Sequence, residues 1–295
     1  MKKWVPLFCL IATFISCEKD IDFQPDSQAP KLVVDAQIET GQAPIVVLTH
    51  SLNYFSAIDP SMLAGSFVHA AKIVMMDGTN TYQLKEYSYS SGANTFYFYS
   101  NDIASPATAI IGQNGKKYDM SIVVDGVTYA SSTNIPLLLK KIDSIWWKKA
   151  PNNADTTTSI VMARVTDPPG FGNYIRYFTR NRNGNPFLPG DKSVFDDQVI
   201  DSKTYDIPVD QGVDRTKPSI SNDSSSYFYR GDTVTIKFCN IDKASYDFWN
   251  TWEFAYQSIG NPFSSPNKVI GNISNNALGA FCGYATQFKT VIIPK

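Results

Sequence analysis

Two histidines, four cysteines and a run of acidic residues are the side chains whose spacing could support chemistry. His50 and His69 show neither HxH nor HxxxH spacing, so a zinc ion would need ligands from distant parts of the chain. They read as ordinary histidines, with no metal. A serine nucleophile of the hydrolase type would sit in a Gly-x-Ser-x-Gly turn ahead of a helix, and the chain has no such turn. The carboxylates of a glycosidase would have to come from Asp196, Asp197, Asp201, Asp206, Asp210 and Asp214. All six fall in a polar stretch from Asn185 to Ser226 without clear periodicity, which suits solvated loop charge first and a calcium site second. No catalytic residue and no cofactor is assigned, and a hydrolase with scattered residues ranks third among the readings of function.

The cysteines carry more information. Lys2 and Lys3 open the chain, an apolar run from Trp4 to Ile15 follows, and Ser16-Cys17 closes it. This is the layout of a secretory signal, with a run too short to span a bilayer. Phe14-Ile-Ser-Cys17 resembles the lipobox of bacterial lipoproteins, with Phe14 in place of the usual Leu. The resemblance implies that residues 1–16 are removed and that Cys17 carries the lipid, so that the protein meets outer-membrane lipid through it. The charged stretch Glu18-Lys-Asp-Ile-Asp22 resembles the signal for display on the outer face in Bacteroidota. The periplasmic face is the alternative. An oxidising compartment would allow Cys239 and Cys282 to pair. Two free thiols are the equal alternative, since no spacing rule fixes their geometry.

Composition narrows the partners. Lys and Arg total 26 against 27 Asp and Glu, a net charge of −1, which argues against nucleic acid as a partner. Aromatics reach 13%, with 16 Tyr and 18 Phe, a bias towards strands. Asp143-Ser-Ile, Asp155-Thr-Thr and Asp232-Thr-Val resemble the O-glycosylation signal of exported Bacteroidota proteins, with Thr156 the best candidate, Ser144 next and Thr233 disfavoured by its strand.

The elements around these residues are mostly strands. Residues 17–29 read as a lipidated tether broken by Pro25. Period-two patterns and turns then predict seven short strands, at 31–39, 45–49, 71–76, 81–87, 95–99, 118–124 and 127–131, with no helix among them. They suggest an immunoglobulin-like or transthyretin-like β-sandwich over 30–136. A second β-rich domain is expected over 137–295, with strands at 142–148, 159–166, 173–183, 227–240 and 281–293. One amphipathic helix is predicted near 242–259, with Asp242 as its N-cap. Its stripe of Tyr246, Trp249, Trp252 (or Phe248), Tyr256 and Ile259 reads as a core face.

The order of several short motifs resembles the Bacteroidota domain-of-unknown-function family 4249 (DUF4249). They are Cys17-Glu-Lys-Asp-Ile-Asp22, Pro30-Lys-Leu-Val-Val34, Ile142-Asp-Ser-Ile145, Gly172-Asn-Tyr-Ile-Arg176, Arg230-Gly-Asp-Thr-Val-Thr-Ile236, Tyr246-Asp-Phe248, Asn261-Pro-Phe-Ser-Ser-Pro266, Gly271-Asn-Ile273 and Ala277-Leu-Gly-Ala-Phe281. The resemblance covers the mature chain and supplies no catalytic residues. It implies an outer-membrane lipoprotein, often encoded beside a TonB-dependent transporter, and hence a non-catalytic accessory or binding subunit with an outer-membrane β-barrel partner. The alternative is a free-standing carbohydrate- or peptide-binding adhesin using Trp146-Trp147 and Tyr97 to Tyr99.

Overall fold

A computed structural model of the chain describes residues 29–52, 59–92, 94–151, 157–217, 226–261, 263–265 and 267–295. The protein is mostly β. The first half runs β1 (Leu32–Glu39), β2 (Ile45–His50), α1 (Pro60–Gly65), β3 (Lys72–Met76), β4 (Thr81–Gln83), β5 (Lys85–Ser91), β6 (Asn94–Ser100), β7 (Lys116–Val124) and β8 (Val127–Ile135). The second runs β9 (Lys141–Lys149), β10 (Thr158–Thr166), β11 (Tyr174–Arg180), β12 (Leu188–Phe195), β13 (Thr204–Val209), β14 (Phe228–Tyr229), β15 (Thr233–Ile241), α2 (Lys243–Gln257) and β16 (Leu278–Ile292). None of the helices among the described residues is long and apolar enough to cross a membrane.

An eight-stranded sheet, in the order β12-β11-β15-β16-β1-β2-β6-β5, is the spine. On one of its faces lie two four-stranded sheets. The first, β4-β3-β7-β8, closes a core over Val34, Ile38, Leu48, Ile73, Met75, Tyr118, Met120 and Ile122. The second, built on β10 with β9, β13 and β14, closes a core over Val161, Val165, Tyr177, Phe228, Ile236 and Phe238. The alternation of β1 explains its place: Leu32, Val34, Ala36 and Ile38 enter the first core, and Val33, Asp35, Gln37 and Glu39 point to the other face.

The two cores divide near residue 136, but the sheet does not. β16 lies between β15 and β1, paired parallel to β1 from Val33↔Leu278 to Glu39↔Tyr284, and it places Phe281 and Ala285 in the first core. The last strand therefore completes the half of the protein that contains the first one. Gly279 makes this approach feasible: at φ +94, any Cβ would stand 1.9 Å from the Val34 carbonyl oxygen.

Several expectations change. The strand predicted at 81–87 is two strands, because the chain leaves the sheet of β3 and enters that of β6 at Leu84, which is buried and donates to Ile73 O at 2.9 Å. A short helix, α1, does occur among the first strands, with Asp59 Oδ1 accepting from Met62 N at 2.8 Å. The stretch 185–226 contains β12 and β13. Its periodicity is hidden where the β11–β12 register shifts between Arg176 and Phe178, as a bulge does. At 125–126 the hairpin is tight, with Asp125 at φ 50 and Gly126 at φ 78, both positive as a two-residue turn of this kind requires.

Candidate functional site

On its second face the eight-stranded sheet is covered by α2 over one half only. Asp242 caps this helix, accepting from Ser245 N at 2.9 Å, and also accepts from Asn134 N at 2.8 Å and Thr133 Oγ1 at 3.1 Å, which ties the helix to β8. α2 buries Ser245, Phe248 and Glu253, and Tyr246, Trp249 and Trp252 of the predicted stripe pack half-buried against the same core, while Tyr256 and Ile259 stay exposed. The aromatics of that stripe are half-buried or exposed. Tyr246 stacks on Tyr174, and Trp252 stacks on Tyr256 beneath Arg215.

Beneath α2 lies a buried polar knot. The Arg176 guanidinium sits 3.4 Å from the centre of the Trp249 ring, donates to Tyr284 Oη at 3.1 Å and to Ser193 Oγ at 3.3 Å. Ser193 in turn donates through its hydroxyl and, at 2.9 Å, its backbone N–H to Glu253. Charge is thus balanced through a serine instead of by direct contact. Burial raises the Tyr284 hydroxyl well above its ordinary range. Such a hydrogen-bonded network rigidifies the helix–sheet contact.

The open half of the face carries the strands β5, β6, β2 and β1. Tyr89 stacks on Phe96 at 5.2 Å between ring centres, and Tyr87 lies 5.8 Å from Phe98. Tyr89 is 55% exposed and Phe96 37%, although both lie in regular strands. Ile45 and Val47 continue this surface on β2, and Asp35 and Gln37 on β1. An aromatic ladder left open on a sheet is the type of surface that marks a binding face. Asp35 is solvent-facing yet closely surrounded. Burial pushes its carboxyl above the usual range, and the Arg176 guanidinium opposes that.

The residues singled out by sequence do not converge. Cys17, Thr156 and the segment 1–28 lie outside the described residues. Ser144 is exposed on β9. Cys239 and Cys282 are not bonded: both are free and buried. The register sets Cys239 opposite Thr286, four residues from Cys282 along β16, and at about 3.3 Å per residue that is roughly 13 Å, far beyond disulfide reach. Burial pushes the Cys239 thiol up to about 12 and that of Cys282 up to about 11, so neither is a thiolate at neutral pH.

The acidic residues each have their own local partner. Asp196 accepts from Tyr246 Oη at 3.1 Å, Asp201 from Gly170 N at 2.8 Å, and Asp206 holds Arg164 at 2.8 and 3.0 Å. Burial works against the charge of Asp197, but backbone N–H groups of Gly172 and Asn173 outweigh it and hold the carboxyl low. The hydroxyl of Thr216 and the ammonium of Lys217 lower Asp214 to about 2. Burial raises Asp210, with Asp191 adding to the effect. No group of three or more His, Cys, Asp or Glu able to hold a metal occurs among the described residues.

His69 pairs with Glu86 at the start of β5. His50 lines a mostly apolar recess of about 550 Å³ beside Pro30 and Met62, with no carboxylate among the described residues of its lining. Trp147 enters the second core, while Trp146 lies on the opposite face of β9, flanked by Lys148 and Arg164. Tyr99 is 2% exposed, its hydroxyl donating to Val68 O at 2.8 Å. Of the stretch Tyr97 to Tyr99, Tyr99 thus enters the core and Phe98 lies on the open face. The period-two spacing of Tyr87 with Tyr89 and Phe96 with Phe98 was the available signal, and a shift of one residue exchanges the faces.

No curated protein matches the chain significantly. A family model, described as a domain of unknown function, matches residues 18–290, nearly the whole length. The chain belongs to the DUF4249 family.

Proposed function

We propose that this protein is an outer-membrane lipoprotein, anchored through Cys17 and facing outward, that serves as a non-catalytic accessory or binding subunit of an outer-membrane complex such as a TonB-dependent transporter. The observation that carries this reading is the open aromatic ladder of Tyr87, Tyr89, Phe96 and Phe98, a surface built for contact and not for proton or group transfer. The scattered local partners of the acidic residues support it, as does a family match that begins at residue 18, just past the expected lipid site.

The test is extraction in mild detergent followed by cross-linking and identification of the bound protein. A β-barrel transporter should be recovered with the wild type and lost from a Tyr89→Glu/Phe96→Glu double variant of unchanged melting temperature. Recovery of no barrel from the wild type would sink the proposal. A second reading, an adhesin for sugars or peptides, is favoured by Trp146 beside the bidentate Arg164–Asp206 pair on the outer face of β9 and β10. Saturable glycan-array binding abolished by Trp146→Ala would support it, and a blank array would remove it.

A further inference from the structure

Among the described residues, outer backbone groups on several sheet edges are capped. On β12, Val213 N donates to Pro189 O at 2.9 Å, Arg215 Nη2 to Gly190 O at 2.9 Å and Gln257 Nε2 to Asp191 O at 2.8 Å. On β8, Ser274 both accepts from Ala130 N at 2.7 Å and donates to Ala130 O at 2.9 Å, and Asp242 takes Asn134 N. On β9, the Gln287 side chain accepts from Ile142 N at 2.9 Å and donates to Ile142 O at 3.1 Å. β13 carries Pro208, which blunts an edge, and β4 has only three residues. β5 is different. Among the described residues no strand pairs with its outer side, and no hydrogen bond reaches its outer backbone groups. It is seven residues long, Lys-Glu-Tyr-Ser-Tyr-Ser-Ser, and has no proline. An edge of that length left bare is a template for another strand.

We propose that two copies of this chain pair antiparallel along β5, centred on Ser88, so that their eight-stranded sheets join edge to edge. The sequence of β5 is its own complement in this register. Lys85 meets Ser91 of the second copy, Glu86 meets Ser90, Tyr87 meets Tyr89 and Ser88 meets Ser88. All seven residues pair and no like charges stand opposite each other, whereas centring on Glu86 would oppose two carboxylates. Tyr87 and Tyr89 share the face of Phe98 and Phe96, so the two aromatic ladders become continuous. The pairing stands on the edge alone and does not depend on what the aromatic face binds. A ladder of this size is smaller than a standard interface, so it is weak in dilute solution and gains strength wherever the copies are concentrated.

The detergent-extracted full chain tests this through Ser88, which is exposed. Ser88→Cys should give a covalent dimer on mild oxidation. Wild type, with Cys239 and Cys282 buried, and Lys192→Cys on the closed edge of β12 should not. In sedimentation velocity, Ser88→Lys alone should self-associate about fivefold more weakly, as should Ser88→Glu alone, and mixing the two should restore association. Equal cross-linking of Ser88→Cys and Lys192→Cys, or no rescue on mixing, would overturn the proposal. Cross-linking of Ser88→Cys to a barrel protein in place of a second copy would overturn it while leaving the accessory function standing.

Discussion

Asp35 shows how a single side chain reports on the open face. Its carboxyl is raised in the folded protein because burial penalises the charged form, and Arg176 only partly offsets this. A raised carboxyl contributes stability at pH values below its unfolded pKa and loses it as pH rises through the folded value. Asp35→Asn is therefore expected to raise the melting temperature at pH 7, with the gain shrinking as pH falls towards 4, read by melting curves across that range. An unchanged difference at both ends would mean that the charge is not the cause. The two buried thiols give a second expectation. Ellman's reagent should label neither Cys239 nor Cys282 in the native protein and both after denaturation, and reductant should leave the melting temperature unchanged. Sequence could name these cysteines but not their separation, because strand register lies outside any one segment. The same limit hid the aromatic ladder, whose four members were visible and whose outward face was not.

Elements were more legible than contacts. Alternation and turn signals located β1, β2, β3 and β7 because each has one face in a core, and Asp242 was identifiable as a cap because its carboxylate precedes a helical pattern. β12 escaped because its register with β11 shifts, and α1 because six residues carry too little periodicity. Asp242 does more than the sequence suggested, since it also holds Asn134 N and Thr133 Oγ1 on β8. Asp242→Ala should cost about 1 kcal/mol for the cap and about 0.5–1.5 kcal/mol more for each lost bond to Asn134 N and Thr133 Oγ1. Chemical denaturation checks this. A loss near 1 kcal/mol alone would show that the link to β8 contributes nothing.

At the scale of the whole molecule, the sequence separated the two cores and missed the sheet that joins them. Parallel pairing of β1 with β16 links residues more than two hundred positions apart, and no local pattern encodes such a partner. It follows that the halves are not independent. A chain ending at residue 277 should fail to fold, including its first half, because β1 loses its partner and the first core loses Phe281 and Ala285. Circular dichroism and protease resistance would read this out, and a folded fragment over 30–136 would contradict it.

The same placement of β1 has a mechanical consequence. The first strand among the described residues, β1, is held on both sides, by β16 and by β2. A pull applied at residue 30 along the strand axis loads both ladders in shear, with every rung sharing the force at once, whereas a strand at a free edge would unzip rung by rung. Force applied at that point would therefore meet the middle of the largest sheet and not one of its edges.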